Sequence, residues 1–358
     1  MRPVLTQTVS EMETPSAAAR AEAIANGGDA AFNARAQAQW PCLNTLELRQ
    51  PPAPLPAPQR LTVAAWNIER CKRVEDSAEL LRSLGADVVL ATEVDIGMAR
   101  SGQRHTVRDL AEALGMGYAF GTEFVELGTG DPYETSLFAD IPNTHGLHGN
   151  AILSRYPLEN VALIPLDAGG MWFVSQPKND GQLRLGGRMA VAAQVATPHG
   201  PLTLTAAHYE SESDAAGRAA DTRTLIDRLD STYGTGPTVI GGDLNTKSLM
   251  DGIRTYANIL ADPAPHEPCF DVFESHSFDW RGCNAGLPTT RAAPGKPVNY
   301  PLWMLDWLFT RGVAATDARV TPALSAAGQY LSDHELLTCR IDMTGAPRVR
   351  AQAASHLA

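Results

Sequence analysis

Residues 237–245 read PTVIGGDLN, an apolar and β-branched run that ends in an acid and an amide, Asp243 and Asn245. A run of this length, bounded by proline and glycine, predicts a buried β-strand with polar side chains at its end. Similar runs recur from residue 61 onward, and several of them also end in a polar residue. They predict further strands at residues 61–69, 87–94, 118–127, 149–155, 188–197, 202–210, 305–312 and 336–341.

Helical patterns separate some of these strands, at residues 75–84, 107–114 and 214–229. Helices interleaved with strands, together with runs of neighbouring strands, predict two sheets covered by helices and hence an α/β (α+β) fold. The segments 128–148, 167–187 and 262–301 are rich in Gly, Pro, Asp and Asn and are predicted to be long loops. Loops of that length in a compact domain are often functional.

The first 59 residues differ in composition from the rest. Residues 15–40 are Ala-rich with a helical character that Asn26-Gly27-Gly28 interrupts, and a proline cluster at 51–58 predicts an extended connector. We therefore predict three regions. They are an N-terminal helical extension with its connector (1–59), one large folded domain (60–345) and a C-terminal tail (346–358).

The composition narrows the class of protein. A 44% share of hydrophobic residues with 19% charged residues is typical of a globular chain. No apolar stretch is long enough to span a bilayer, and the N-terminus lacks the apolar core of a signal peptide, so a cytoplasmic location is predicted. Five cysteines without CxxC spacing argue against a disulfide framework or a structural zinc site. The sequence does not indicate an oligomeric state.

The charge of the chain bears on its partners. The net charge is −11 and the chain has no Lys/Arg run, whereas proteins that grip a nucleic-acid backbone usually present a basic face. Nucleic acid is therefore a disfavoured partner, although a local basic groove is compatible with an acidic total.

Acids, amides and histidines cluster at the predicted strand ends. Carboxylates are costly to bury unless they are paired or bound to a cation, so many of them at one edge of a sheet require a metal ion to neutralise them. Oxygen-rich sites of Asp, Glu and Asn suit Mg²⁺ or Mn²⁺ better than zinc or copper. The candidate residues are Asn67, Glu93, His208, Asp243, Asn245, Asp306, Asp333 and His334.

Seven short motifs, taken in order, resemble the endonuclease/exonuclease/phosphatase superfamily with its deoxyribonuclease-I-like fold. They are WNIE (66–69), ATEVD (91–95), HGNAILSR (148–155), TAAHYE (205–210), GGDLN (241–245), LDWLF (305–309) and SDHE (332–335). Any one motif is weak, but seven in the family's order across residues 61–341 are specific. The resemblance implies a four-layer α/β/β/α sandwich, in which two packed mixed β-sheets are flanked by helices and the site lies at one edge of the sheets.

The resemblance also implies which residues hold a metal ion. Glu93 resembles the principal metal ligand, and Asn67 resembles the amide that helps to hold the metal or its water. Asp333 stands where the family has a further carboxylate on the metal side. The implied cofactor is Mg²⁺ or Mn²⁺.

Five further residues resemble the family's catalytic groups. Asp243 resembles the carboxylate that orients or deprotonates the attacking water, and Asn245 resembles a hydrogen-bond donor to the phosphoryl oxygens. His334 resembles the histidine that contacts the phosphate, with Asp306 as the acid that holds its ring. His208 matches a histidine of the phosphatase, lipase and deoxyribonuclease branches, which makes the abasic-site endonuclease branch less favoured.

Four residues are predicted to contact the substrate. Asn150 matches a family position near the phosphate. Arg100 and Arg104 follow Glu93 closely in the sequence and are hypothesised to grip a phosphate, with a solvated loop as the alternative. Arg188 is hypothesised to bind a head group or a base, with solvation at a strand edge as the alternative.

Most of the candidates also have a purely structural interpretation. Asp243 and Asn245 are typical turn formers after a strand. Asn67 alone reads as a cap at a strand end, and His208 alone as a core histidine. Asp333 is typical of a helix N-cap. The ordered set of motifs favours the functional interpretation over these alternatives.

Together these observations predict a Mg²⁺- or Mn²⁺-dependent phosphodiesterase or phosphatase that attacks phosphorus with an activated water, on a small or lipid-derived phosphoester. A DNA or RNA nuclease that uses the same site is the first alternative, and a basic groove beside Asp243 and His334 would favour it. A non-catalytic binding module on the same fold is the second alternative, and the intact set of acids argues against it.

Overall fold

Two mixed β-sheets form the centre of the structure, a computed structural model that describes residues 2–166, 182–250, 255–294 and 301–345. The nine strands of the larger sheet are β1 (Thr8–Val9), β2 (Leu46–Arg49), β3 (Arg60–Arg70), β4 (Val88–Ile96), β5 (Gly117–Glu126), β6 (Leu147–Ser154), β8 (Arg184–Gly186), β13 (Ala314–Thr321) and β14 (Leu336–Asp342). The five strands of the smaller sheet are β7 (Glu159–Pro165), β9 (Met189–Thr197), β10 (Gly200–His208), β11 (Thr238–Asp243) and β12 (Asp306–Arg311).

The strand order brings distant parts of the chain together. The larger sheet runs β1-β2-β5-β6-β4-β3-β14-β13, with β8 paired to β5, and the smaller sheet runs β12-β11-β10-β9-β7. In the larger sheet β3 and β4 are parallel, and in the smaller sheet β10 and β11 are parallel. The carboxyl ends of these four strands lie at one edge of the two sheets, where the polar strand ends were predicted to converge.

Helices cover the outer faces of both sheets. They are α1 (Ala17–Ala25), α2 (Ala30–Gln39), α3 (Val74–Ser83), α4 (Thr106–Leu114), α5 (Pro132–Phe138), α6 (Ala215–Tyr233), α7 (Tyr256–Ala261) and α8 (Cys269–Ser275). The first two are separated at residues 26–29, as the Asn-Gly-Gly sequence predicts.

Three hydrophobic clusters show the layering. One packs α3 and α4 on the outer face of the larger sheet, around residues such as Leu81 and Val107. A second lies between the sheets and includes Val63 and Leu204. The third packs α6 and α8 on the outer face of the smaller sheet, with Leu225 in its interior. Three apolar interfaces make four layers, so the predicted α/β/β/α sandwich of two mixed sheets flanked by helices is confirmed.

All nine predicted strands and all three predicted helices are present, but the long loops were only partly correct. The segment predicted as loop 128–148 contains α5 and the start of β6, the segment 167–187 contains β8, and the segment 262–301 contains α8. Strands β1, β2, β7 and β13 and helix α7 were not predicted. Strand β13 lies at the edge of its sheet with mostly exposed residues, so its sequence carries no apolar run. Residues 167–181 and the predicted tail 346–358 lie outside the described residues.

The N-terminal segment pairs with both sheets. Strand β2 lies antiparallel to β5 in the larger sheet, and Leu5 exchanges two backbone hydrogen bonds with Leu163 of β7 in the smaller sheet. These contacts pack the N-terminal segment onto the domain that follows it. The domain boundary predicted after residue 59 stays a prediction. None of the helices in the described residues combines the length and the apolar character needed to cross a membrane.

The buried carboxylate of Glu47 anchors this segment. Glu47 lies in β2, fully shielded from solvent, and accepts hydrogen bonds from the backbone N–H of Met12 and from the Tyr118 hydroxyl. It also pairs with His105 Nε2 at 2.8 Å. Glu47 therefore joins the N-terminal segment to β5 and to the start of α4.

Glu47→Ala should lower the free energy of unfolding by about 2–4 kcal/mol, because several buried donors lose their acceptor at once. Urea denaturation followed by circular dichroism measures this loss. Glu79→Ala, at an exposed position of α3, is the matched control and should change stability by less than about 0.5 kcal/mol. A loss below about 1 kcal/mol for Glu47→Ala would show that Glu47 does not anchor the segment.

Candidate active site

Asp243 lies at the centre of the polar edge. In the smaller sheet it is the register partner of His208 on one side and of Asp306 on the other. It ends β11, and only 2% of its surface is exposed. The order of strands therefore sets a histidine and a second carboxylate beside this residue.

Three side chains face one oxygen of this carboxylate. The Nε2 atoms of His208 and His334 each lie 3.7 Å from Asp243 Oδ2, and Asn67 Nδ2 donates a hydrogen bond to the same oxygen at 3.2 Å. The other oxygen, Oδ1, accepts the backbone N–H of Asn245 at 2.9 Å. Asp243 is thus fixed in orientation while Oδ2 points into a ring of polar groups.

His334 is oriented from two sides. Its Nδ1 lies 2.7 Å from Asp306 Oδ2, and its backbone carbonyl accepts the indole N–H of Trp66 at 2.9 Å. Burial alone would lower the pKa of His334, but Asp306 and Asp243 outweigh burial and raise the pKa well above its ordinary value. Burial, opposed by His334 and reinforced by Asp243, raises the pKa of Asp306 to about 6. The neighbouring acids therefore favour the protonated form of the His334 ring.

Glu93 lies on the opposite side of Asn67. Asn67 Nδ2 donates to Glu93 Oε1 at 3.1 Å, and Arg70 Nη1 donates to Glu93 Oε2 at 2.7 Å. Burial raises the pKa of Glu93, but Arg70, followed by His208 and His148, holds it well below its ordinary range. One amide therefore joins Glu93 to Asp243.

The backbone is irregular where these residues lie. The register between β3 and β4 shifts between Asn67 and Arg70, and Glu93 has a φ of 59° and Arg70 a φ of 68°. Asn245 follows β11 with a φ of 50°. Positive φ is uncommon for residues other than glycine, and it clusters at functional sites. A regular strand would direct these side chains elsewhere, and the bulges turn them toward the site.

His208 has an acidic partner that the sequence analysis missed. Its Nδ1 lies 3.3 Å from Glu123 Oε2, and Arg188 bridges Glu123, Glu210 and His208. Burial raises the pKa of Glu123, but Arg188 and His208 lower it to about 2. The sequence signal was Glu123, an acid inside the apolar run FGTEFVEL (120–127). A buried strand tolerates an acid only when that acid is paired. The site therefore holds two histidine–acid pairs on either side of Asp243.

Asp333 belongs to the same edge. Burial raises its pKa, His334 opposes that effect, and Glu69 and Glu93 raise it further. Asp333 directly precedes His334 in the chain, and its role as a carboxylate on the metal side stays a prediction.

The donor set fits a hard divalent cation. Asn67 links Glu93 to Asp243, and Asp306 is the register partner of Asp243. Asp306 Oδ1 is buried without a hydrogen-bond partner among the described residues. Ligand atoms of Asp243, Asp306 and His334 lie within 4.8 Å of one another, but His334 could bind a cation only with its ring deprotonated. Carboxylate and amide oxygens are the ligands that Mg²⁺ and Mn²⁺ prefer.

The predicted substrate contacts separate into two groups. Arg188 contacts His208 at the site. Asn150 Nδ2 donates to the Met189 carbonyl, and its Oδ1 is buried without a partner in the described part of the chain. Substrate contact by either residue stays a prediction. Arg104 is partly exposed and is paired with Glu75 and Asp109, so it does not face the acids of the site.

The prediction for Arg100 was wrong. Its side chain is only 2% exposed, and its guanidinium is paired with Asp95 and Glu134 at 2.9 Å each. It also lies 3.1 Å from His148 Nδ1. A guanidinium enclosed by two carboxylates holds the fold beneath the site and cannot grip a phosphate.

Comparisons with known proteins agree with this geometry. A family model described as Endonuclease/Exonuclease/phosphatase family matches residues 64–334. A search of curated proteins found no significant match. Similar solved structures include an endonuclease/exonuclease/phosphatase from Beutenbergia cavernae DSM 12333, with 21% identity, a TM-score of 0.53, and coverage of 81% of this chain and 73% of that chain.

Two further solved structures resemble the fold. A functionally unknown conserved protein from Enterococcus faecalis V583 has 15% identity and a TM-score of 0.52, over 78% of this chain and 99% of its own. An endonuclease/exonuclease/phosphatase from Bacteroides vulgatus has 15% identity and a TM-score of 0.50, over 79% and 98%. At these identities the likeness concerns the fold.

Asp306→Asn should lower the pKa of His334, because the largest interaction that favours the imidazolium is removed while the burial remains. Imidazole ¹H–¹⁵N NMR in EDTA measures the titration, with Asp279→Asn at an exposed position as the matched control. His334 contributes stability that is complete below its unfolded pKa of about 6.5 and is lost as the pH rises through the raised folded pKa. An unchanged His334 titration in Asp306→Asn would contradict the pairing.

Proposed function

The chain belongs to the Endonuclease/Exonuclease/phosphatase family, and on that premise we propose that it is a Mg²⁺- or Mn²⁺-dependent phosphodiesterase or phosphatase. Members of this family are typically metal-dependent hydrolases of phosphoesters. One observation carries the proposal: two histidines, each paired with a buried acid, present their Nε2 atoms 3.7 Å from the same oxygen of Asp243.

Asp243 orients and deprotonates the attacking water in this proposal. The backbone N–H of Asn245 holds Oδ1, so we infer that the carboxylate contacts the attacking water through Oδ2. A general base must lie within hydrogen-bond distance of the proton that it removes, and in this proposal the water binds at Oδ2. The water then attacks phosphorus in line with the leaving oxygen.

His334 supports the negative charge on the phosphoryl group. Asp306 and Asp243 raise its pKa and so favour the protonated ring, and Asp306 holds Nδ1 so that Nε2–H faces the reacting group. A preoriented cationic donor of this kind stabilises charge that develops in the transition state. His208, held by Glu123 and Arg188, supplies a second oriented imidazole on the other side of Asp243.

Asn245 is a further donor to the phosphoryl oxygens. One hydrogen of its amide donates to the Tyr209 carbonyl at 3.0 Å, which fixes the side chain, and an amide nitrogen carries a second hydrogen. The proposed Mg²⁺ or Mn²⁺ would be held by Glu93, Asn67 and Asp333, and it would neutralise negative charge on the substrate phosphate.

The charges around the site favour a small or lipid-derived phosphoester over a polynucleotide. Arg70, Arg100 and Arg188 are each ion-paired with carboxylates of the domain. A protein that holds a nucleic-acid backbone uses Lys and Arg to neutralise several phosphates. Arginines whose charge is already balanced, in a chain of net charge −11, do not make such a surface.

Asp243→Asn should lower kcat by about 10²–10⁴-fold, the range that a general base contributes. Bis-p-nitrophenyl phosphate, p-nitrophenyl phosphate, phospholipids, plasmid DNA and RNA are assayed with Mg²⁺ and Mn²⁺, and EDTA should abolish the activity. Asp227→Asn, at an exposed position of α6, is the matched control and should be unaffected. Lack of EDTA-sensitive hydrolysis across the whole panel would overturn the proposal, and cleavage of nucleic acids alone would replace it with the nuclease.

A further inference from the structure

A chain of alternating charges runs from the metal-side acid into the domain. Arg70 Nη1 lies 2.7 Å from Glu93 Oε2, and Arg70 Nε lies 3.3 Å from Glu134 Oε1. Glu134 Oε2 in turn lies 2.9 Å from Arg100, which pairs with Asp95. Arg70 thus stands between two carboxylates, one at the site and one on α5.

Glu93 has both of its oxygens engaged in this arrangement. Asn67 donates to Oε1 and Arg70 to Oε2. Asn67 is neutral, whereas Arg70 carries a full positive charge. A divalent cation on Glu93 therefore meets a like charge a few ångströms away, at an edge where Glu93 is only 19% exposed and the repulsion is weakly screened.

Glu134 offers Arg70 a second partner that is already in place. Glu134 is the third residue of α5, where its side chain accepts the backbone N–H of Asp131 and its own N–H donates to the Asp131 side chain. This reciprocal cap fixes the Glu134 carboxylate between Arg70 and Arg100. Arg70 can therefore leave Glu93 without losing every anionic partner.

We propose that Arg70 is an internal counterion that competes with the divalent cation for Glu93, and that Glu134 holds Arg70 when the cation is bound. The inference rests on the proposed function only in placing the cation at Glu93. It assigns Arg70 and Glu134 as positioning residues that set the affinity for the metal, although neither is a metal ligand.

Opposite effects on metal affinity test the proposal. Arg70→Gln removes the competitor and should raise the affinity for Mn²⁺ by at least about tenfold. Glu134→Gln removes the alternative partner, leaves Arg70 on Glu93 and should lower that affinity. Arg70→Lys keeps the charge and should stay near the wild type. Mn²⁺ binding without substrate, followed by electron paramagnetic resonance and calorimetry, gives the affinities.

Arg104→Gln is the matched control, because Arg104 is also ion-paired with two acids but not with Glu93, and it should leave Mn²⁺ affinity unchanged. Mere loss of stability would weaken binding in both Arg70→Gln and Glu134→Gln, so opposite signs separate competition from damage. Equal or weaker binding by Arg70→Gln, with a wild type that binds Mn²⁺ and hydrolyses phosphoesters, would overturn this inference alone. A wild type that binds no Mn²⁺ would overturn the proposed function and the inference together.

Discussion

The concentration of negative charge at one buried edge is the constraint on which the rest of the site depends. Glu93, Asp243 and Asp306 lie close together where the sheets end, and Glu123 contacts His208. Buried carboxylates are stable only with compensating charge or hydrogen bonds. The imidazolium of His334 and the guanidinium groups of Arg70 and Arg188 supply part of that compensation. The raised pKa values of Asp306 and Asp333 show that it is incomplete.

The sheets supply the geometry that this charge requires. The order β12-β11-β10 alone sets Asp306, Asp243 and His208 side by side, since they are register partners. The larger sheet contributes Asn67 and Glu93 through irregular backbone rather than regular pairing. The strained backbone conformation at these positions persists because the packed strands on both sides fix it.

Much of the fold and of the candidate site was predictable from the sequence. The predictions that failed share one cause. Strand ends such as GGDLN and WNIE could be found because a polar residue after an apolar run is a local signal. The role of Glu123 and the ion pairs of Arg100 could not be predicted from sequence. The role of a buried charge can be assigned only once its partner from another part of the chain is known. Helix α5 was missed although Asp131-Pro132 and Glu134 form a capping-box pattern, since the surrounding Gly and Pro residues favoured a loop. Strand β2 was missed because its pairing with β5 depends on contacts distant in sequence.

The N-terminal segment, which closes an edge of each sheet, has a consequence for how the chain is made. Leu5 leaves the ribosome early, but its partner Leu163 in β7 emerges only after most of the larger sheet has been synthesised. Until then Leu5 has no strand of the smaller sheet to pair with, whereas β2 can already pair with the edge of β5. Unpaired edges of this kind are where nascent chains associate wrongly. Leu5 therefore docks onto the smaller sheet only after β7 has been made, and its backbone groups stay open to other chains during that interval.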